Sequence, residues 1–345
     1  MRPVPDLALF VDALDARVDP DRLRRDVALL AAEPRSRLRA PAAMDRAEQY
    51  VAGELTGAGW RVERQPFDVR WQLGCTDARG TRLPPLKLRL HRRLAGANLI
   101  ARLPGHPDRP TVVLGAHLDT VQDSPGADDN ASGVAALLEV ARLLAAQPEP
   151  PAVTLAVFDL EELGLIGARY AARELCRRGP VAGMICLESV GYFATEPGSQ
   201  RMPPGAGLVF GAAARAIRAD GSRGDFTVVA HRRSSQAAAQ LWQRAAAGTS
   251  AALSGVLVRD PRPDGALGIL AGLVVPAANN LGRSDHAPFW NRRVPALMLT
   301  GTANFRNRHY HQPTDTPETL DYPRLAAVTV ATAVTAARWP AAERH

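Results

Sequence analysis

The sequence predicts an α/β protein in which helices pack against a layered β-sheet. From residue 94 onward, apolar strand-like segments alternate with amphipathic helical segments, an order that is typical of α/β sheets. The chain has 345 residues, of which 46% are hydrophobic and 22% charged, so it can bury a core. We therefore expect one domain over residues 1–345. Its longest apolar runs are far shorter than the roughly 20 residues that a membrane-spanning helix needs, which predicts no membrane contact.

The N-terminal segment, residues 1–60, is predicted to be helical. Asp19-Pro20 is typical of a helix start and precedes an amphipathic run. A second periodic run, residues 42–55, is followed by Gly57 and Gly59, which favour a helix end. Residues 60–69 then have the character of a strand.

The remainder of the chain predicts six strands, four helices and two long loops. The strands are expected at residues 97–103, 111–116, 153–159, 183–187, 226–230 and 296–300, and the helices at 131–146, 165–178, 234–247 and 322–338. Residues 191–224 and 248–282 are rich in Gly and Pro and fit no regular element. Loops of this length are often functional, so we expect them to line the active site; plain surface insertions are the alternative.

The charge pattern argues against a nucleic-acid-binding protein. The chain has 42 Lys and Arg residues against 35 Asp and Glu residues, and Lys87 is its only lysine. The arginines are scattered and few aromatic residues lie between them, whereas a nucleic-acid interface clusters its positive charge. Three widely spaced cysteines predict neither a disulfide framework nor a thiolate zinc site. The N-terminus lacks the pattern of a signal peptide, which predicts a cytoplasmic location.

Acidic and imidazole side chains follow several predicted strands directly. His117 and Asp119 come after one strand, Glu161 and Glu162 after another, and Glu188 after a third. Asp129 lies twelve residues beyond His117; Asp285, Tyr310 and His311 follow nearer the C-terminus. Because sites in open α/β sheets form beyond the carboxyl ends of the strands, we expect one convergent cluster.

Such a cluster of carboxylates and imidazoles suits metal ions. This donor set favours zinc, with manganese or cobalt possible, and one carboxylate shared between two ions describes a two-metal site. In His117-x-Asp119 both side chains leave an extended segment on the same side, so Asp119 can help to orient His117. Each motif alone is weak, and the prediction rests on their conjunction.

The sequence resembles the two-zinc aminopeptidase and glutaminyl cyclase family, peptidase family M28 of the bacterial leucyl aminopeptidase type. The resemblance covers about residues 94–338 and rests on GAHLDTV, PGADDNASG, FDLEELGLIGARYA, CLESVGYF, SDHAPFW and YHQPTDTPETLDY. It implies an α/β/α sandwich around a mixed, mainly parallel sheet, with two zinc ions. It also implies a cis peptide between Asp129 and Asn130.

The resemblance assigns a role to each candidate residue. His117 and Glu188 would bind one zinc ion, Glu162 and His311 the other, and Asp129 would bridge them. Glu161 would be the general base, Asp119 the partner of His117, Tyr310 an oxyanion donor, and Asp285 part of the hydrogen-bonded surroundings of Glu161. The implied activity is hydrolysis of an amide or peptide bond in a peptide or an amide-containing small molecule, by an aminopeptidase or amidohydrolase.

Two departures and three alternatives accompany this prediction. Glu188 stands where many family members carry Asp, and Ser189-Val190 replaces a more usual bulky pair after it. Asn130 follows Asp129 where cyclases commonly place Ser. The alternatives are cyclisation of the glutaminyl cyclase kind, the other two-zinc deacylase family, and a metal-free binding domain. Asn130 favours hydrolysis over cyclisation, and the short spacing between His117 and Asp129 argues against the deacylase family. Substrate identity, native metal and oligomeric state stay open.

Overall fold

The computed structural model describes residues 6–75, 88–105, 110–272 and 276–340. Residues 1–5 of the predicted helical segment and residues 273–275 of the second predicted loop lie outside these ranges. The described residues form one eight-stranded sheet in the order β1-β2-β4-β3-β5-β8-β6-β7. Its strands are β1 (Arg61–Cys75), β2 (Leu88–Arg102), β3 (Thr111–His117), β4 (Val153–Phe158), β5 (Val181–Glu188), β6 (Phe226–His231), β7 (Ser254–Arg259) and β8 (Ala296–Thr300).

The sheet is mixed, with a parallel centre. Strands β4, β3, β5 and β8 run parallel. The pairs β1–β2, β2–β4 and β6–β8 are antiparallel, and β7 runs parallel to β6. The α-helices are α1 (Leu7–Asp15), α2 (Pro20–Leu30), α3 (Pro41–Gly57), α4 (Gly133–Ala145), α5 (Ile166–Arg178), α6 (Ala206–Val209), α7 (Gly211–Ala219), α8 (Gln236–Ala247), α9 (Ala266–Ala271), α10 (Ala287–Trp290) and α11 (Tyr322–Ala337).

Two apolar clusters cover the two faces of the sheet. Alternate strand residues point to opposite faces: in β3, Leu114 belongs to the cluster that contains residues of α1–α4, α8 and α11, whereas Val113 belongs to the cluster that contains residues of α5, α7 and α10. The predicted α/β/α sandwich is therefore confirmed. Since α1, α2 and α3 share one cluster with the sheet, we infer that they belong to the same domain.

Most predicted elements are present with slightly shifted ends. Asp19 caps α2, since its carboxylate accepts hydrogen bonds from the backbone N–H groups of Asp21 and Arg22. The strand predicted at 60–69 extends to Cys75, and the strand predicted at 97–103 begins at Leu88. Residues 88–96 of β2 pair only with β1 and are mostly exposed, so the apolar run by which we predicted the strand is missing there.

The two predicted loops contain regular structure. Residues 191–224 include α6 and α7, and residues 248–282 include β7, α9 and a 3₁₀ helix at Pro276–Gly282. Strand β7 pairs only with β6 and is half exposed, so its sequence lacks the apolar run of the central strands. In the described part of the chain, no helix is both long enough and apolar enough to cross a membrane.

Candidate metal centre

The candidate ligands come together at the carboxyl edge of the parallel strands. His117 and Glu188 are the last residues of β3 and β5, and Glu161 and Glu162 lie in the turn after β4. Since β4, β3 and β5 are parallel neighbours, their carboxyl ends meet at one edge of the sheet. The expected cluster is therefore present.

The donor atoms form two adjacent groups. One group contains His117, Glu161 and Glu188, and the other contains Asp129, Glu162 and His311; within each group the donor atoms lie within 4.8 Å of one another. The side chain of Asp129 also joins the groups. Its Oδ1 lies 3.2 Å from Nε2 of His117, and its Oδ2 lies 3.0 Å from Nε2 of His311.

The protonation of His117 provides a test of whether a cation fits. Its Nδ1 lies 3.0 Å from the backbone carbonyl of Asp119, an acceptor, so Nδ1 carries the proton and donates it. In this tautomer Nε2 carries a lone pair and no proton. It faces Oδ1 of Asp129, at 3.2 Å, and Oε2 of Glu188, at 3.5 Å. An unprotonated nitrogen beside two carboxylates is electrostatically unfavourable without a cation or a proton. The arrangement fits a metal ion.

Orphaned polar atoms in the cluster support the same conclusion. Nε2 of His117, Nε2 of His311 and Oε1 of Glu162 are buried and have no hydrogen-bond partner among the described residues. Buried polar atoms normally have a partner. Burial raises the pKa of Asp129, but the two histidines outweigh burial and hold that pKa below its ordinary value. Asp129 therefore stays an anion, as a shared ligand must.

Asp119 positions both glutamates, which differs from its expected role. Its carboxylate oxygens accept hydrogen bonds from the backbone N–H groups of Glu161, at 3.0 Å, and Glu162, at 3.1 Å. The contact of Asp119 with His117 is made chiefly by its backbone carbonyl, because the carboxylate lies 3.8 Å from Nδ1. Asp119 thus connects the loop after β3 to the turn after β4.

Asp315 holds the backbone of Asp129, the candidate shared ligand, and was not identified from the sequence. Its buried carboxylate accepts hydrogen bonds from the backbone N–H groups of Asp128, at 2.9 Å, and Asp129, at 3.2 Å. Burial raises the pKa of Asp315 to about 8. The residue lies inside the quoted motif YHQPTDTPETLDY, but nothing in its spacing distinguishes it from a solvated loop residue.

The residues around Asp129 are fixed by close contacts. The Asp129–Asn130 peptide is cis, which confirms that prediction. The Asn130 side chain donates to the Leu187 carbonyl, at 2.8 Å, and accepts from the backbone of Ser189, at 3.2 Å. Gly126 has φ +62°, and a Cβ there would lie 2.3 Å from the Asp129 carbonyl, so only glycine fits.

Two serines orient Glu188. The Ser284 hydroxyl donates to Glu188 Oε2 at 2.7 Å, and the Ser189 hydroxyl donates to Oε1 at 3.2 Å. Such outer partners fix the direction of a ligating carboxylate. The longer side chain at this position is therefore held by hydrogen bonds on both oxygens.

Glu161 is surrounded by negative charge. Burial raises its pKa well above the ordinary range, and the carboxylates of Glu162, Glu188 and Asp285 act in the same direction. The expected hydrogen bonds of Asp285 are not found, since neither of its buried carboxylate oxygens has a partner among the described residues. Burial raises the pKa of Asp285 well above its ordinary value as well.

Tyr310 packs directly on the candidate ligand His311. Its ring stacks on that of His311, with ring centroids 3.8 Å apart and an interplanar angle of 17°. Burial raises the pKa of Tyr310 well above its ordinary value, and the carboxylate of Asp129 adds to the shift. The phenol therefore keeps its proton and can donate a hydrogen bond.

A cavity of about 150 Å³ opens beside the cluster. Asp129, Glu161, Glu188 and Tyr310 line one part of it. The remaining wall is largely apolar and comes from residues 200–217, from β6, β7 and β8, and from residues 280–284 and 302–305. It includes Met202, Pro203, Phe210, Ile217, Val228, Val258, Leu281 and Met298. Both segments predicted to line the active site thus contribute to the wall.

Arg35 is a buried residue that sequence reasoning missed. Its side chain is 1% exposed and donates to the carbonyls of Leu118 at 2.8 Å, Pro125 at 2.8 Å and Gly126 at 3.0 Å, and also to the carbonyl of Leu30. These bonds fix the loop that connects His117 to Asp129. Burial lowers the pKa of Arg35 to about 10.

Comparison with known protein families identifies this arrangement. The model of peptidase family M28 matches residues 98–236 and 265–336, which include all five candidate ligands. The chain belongs to peptidase family M28. The resemblance drawn from the six motifs is thereby confirmed.

One curated relative matches nearly two thirds of this M28 chain. The chain is 36% identical over 239 residues to the uncharacterised protein YfbL of Escherichia coli. That match covers 65% of this chain and 65% of YfbL, and the next three curated relatives are covered over only 16% to 28% of their lengths.

Two solved structures share the fold. The zinc aminopeptidase BSAP of Bacillus subtilis has a TM-score of 0.65 at 17% identity, with coverage of 92% of this chain and 94% of BSAP. The glutaminyl cyclase of Porphyromonas gingivalis has a TM-score of 0.59 at 20% identity, with coverage of 92% and 98%. The fold alone thus accommodates both hydrolysis and cyclisation.

Proposed function

We propose that this protein is a two-zinc aminopeptidase that removes an apolar N-terminal residue from a peptide. The observation that carries the proposal is the placement of Asp129, whose two carboxylate oxygens face Nε2 of His117 and Nε2 of His311. A carboxylate that offers one oxygen to each of two imidazole-containing groups has the geometry of a bridge. In this proposal His117 and Glu188 hold one ion, and Glu162 and His311 hold the other.

Zinc ions held there, or manganese or cobalt in their place, would polarise the substrate carbonyl and activate water. Glu161 lines the cavity and lies in the first ligand group, so its carboxylate can accept a proton from the attacking water and return it to the leaving amine. The Tyr310 hydroxyl is the donor for the oxyanion that develops on the carbonyl.

The cavity indicates which substrates fit. An apolar space of about 150 Å³ is comparable to a cavity that accepts a benzene ring, so it can receive one side chain of the size of Leu or Phe. Asn130 supports hydrolysis over cyclisation, because it follows Asp129 where cyclases commonly place Ser. The cytoplasmic location stays a prediction.

The test is hydrolysis of leucyl-p-nitroanilide by the purified chain. We expect activity that disappears after dialysis against a chelator and returns on addition of zinc, with no cleavage of the N-acetylated substrate. Cyclisation of an N-terminal glutaminyl peptide without leucyl-p-nitroanilide hydrolysis would replace this proposal by the cyclase alternative. Inactivity of the zinc-loaded protein on both substrates would favour the binding-domain alternative.

A further inference from the structure

Two arginines line the same cavity. Arg201 and Arg283 come from separate wall segments, and every other charged residue of the described cavity wall belongs to the candidate metal centre. Arg283 makes no ion pair and no hydrogen bond with another described residue. Arg201 donates from Nη2 to the backbone carbonyl of Asn304 at 2.7 Å but has no carboxylate partner in the described part of the chain.

Arg283 lies close to the reacting end of the cavity. Its neighbour Ser284 donates to Glu188, so the backbone at this point runs beside the ligand cluster. Burial and nearby carboxylates raise the pKa of Tyr310, and the guanidinium of Arg283 acts in the opposite direction. The positive charge of Arg283 is therefore within electrostatic reach of the Tyr310 hydroxyl.

Arg201 is held in position by the 3₁₀ turn that follows β8. Its backbone N–H donates to the carbonyl of Phe305 at 2.8 Å, and its side chain contacts the same 3₁₀ turn, Ala303–Phe305. This leaves the remaining N–H groups of the guanidinium without a described acceptor. A guanidinium presents five donors in a fork that matches a carboxylate.

We propose that Arg283 and Arg201 bind a carboxylate on the leaving group of the substrate, which makes dipeptides with a free C-terminus the preferred substrate class. The inference rests on the proposed function. The apolar wall receives the N-terminal side chain, and the amide lies at the ligand cluster. In a dipeptide the carboxylate then lies one residue beyond the scissile bond, whereas a longer peptide offers an uncharged amide at that point.

The experiment compares kcat/KM for Leu-Ala, Leu-Ala-amide and Leu-Asp-amide with the zinc-loaded protein. We expect Leu-Ala to exceed Leu-Ala-amide by about tenfold or more, the effect of one charge-assisted hydrogen bond at a partly exposed site. Arg283→Gln and Arg201→Gln should each reduce this ratio, mainly through a higher KM for Leu-Ala. If kcat/KM for Leu-Asp-amide equals that for Leu-Ala, the site also accepts a side-chain carboxylate. If kcat/KM for Leu-Asp-amide is much lower, the site is specific for the α-carboxylate.

Arg292→Gln is the matched control, since it removes the same charge from an exposed position outside the cavity, and it should leave the ratio unchanged. Equal use of Leu-Ala and Leu-Ala-amide by the unmodified protein would overturn the carboxylate site, as would a ratio that neither variant changes. Activity on Leu-Ala-amide shows that each variant is folded. Failure to hydrolyse any of the three substrates would instead contradict the proposed function.

Discussion

Replacement of Arg35 by methionine tests whether this residue fixes the loop between His117 and Asp129. Methionine keeps an apolar side chain of similar reach but removes every hydrogen bond that the guanidinium donates to the four carbonyls. Charge-assisted hydrogen bonds contribute about 1.5–3 kcal/mol each, so their combined loss is at least about 6 kcal/mol. Burial of the guanidinium opposes this, since it lowers the pKa from 12.5 to about 10, which corresponds to about 3 kcal/mol.

The net loss in free energy of unfolding is therefore at least about 3 kcal/mol for Arg35→Met. For a chain of 345 residues this lowers Tm by at least about 4 °C. Because the loop carries Asp119 and leads to Asp129, we also expect weaker zinc retention. Differential scanning fluorimetry gives Tm, and zinc content after gel filtration gives retention.

Arg46→Met provides the control for this prediction. Arg46 forms an exposed ion pair with Glu33, and exposed pairs contribute about 0–1 kcal/mol, so Tm should fall by about 1 °C or less. If Arg35→Met retained the Tm and the zinc content of the unmodified protein, the assignment of Arg35 as the residue that fixes this loop would be refuted.

Three further predictions concern single side chains. Asp315→Asn should weaken retention of both zinc ions, because a carboxamide has one acceptor oxygen for the two N–H groups at Asp128 and Asp129; zinc titration with a competing chelator measures this. Ser284→Ala removes the 2.7 Å hydrogen bond to Glu188 and should lower affinity for one ion about 10- to 100-fold, while loss at both would contradict it. Burial lowers the pKa of His286 from 6.5 to about 3, so between these pH values the unfolded chain binds a proton at this residue and the folded chain does not. The free energy of unfolding therefore falls as pH decreases from about 6.5 towards 3. His286→Gln should flatten that decline in urea unfolding of the zinc-free protein.

The central strands and the convergence of the candidate ligands were predictable from sequence because both have short-range signatures. The apolar runs of β3, β4 and β5 occupy the predicted positions, and a candidate His or Glu ligand ends β3 and β5 or lies within four residues of the end of β4. These features depend on residue type and local spacing alone. The assignment of Asp129 as the shared carboxylate came from the family motifs and stays a prediction.

The supporting contacts were not predictable, because they join residues far apart in the chain. Arg35 donates to carbonyls more than 80 residues away, and Asp315 accepts from N–H groups 186 and 187 residues away. Among the described residues the Arg35 side chain donates only to backbone carbonyls, so the sequence offers no complementary side chain by which to recognise it. Asp119 was predicted at the site. Its hydrogen bonds with the backbone of Glu161 and Glu162 depend on how far β3 and β4 extend relative to each other at the edge of the sheet, which the sequence does not give.

The most direct test of the account is zinc content measured beside turnover in Glu161→Gln and Glu162→Gln. The two residues are adjacent in sequence but lie in different donor groups, so each variant is the control for the other. We predict that Glu161→Gln retains close to two zinc ions per chain and loses amide hydrolysis by about 10²–10⁴-fold, the contribution of a general base. Glu162→Gln should instead lose zinc from one position. Near-normal turnover in Glu161→Gln, or loss of zinc in that variant as in Glu162→Gln, would contradict the account.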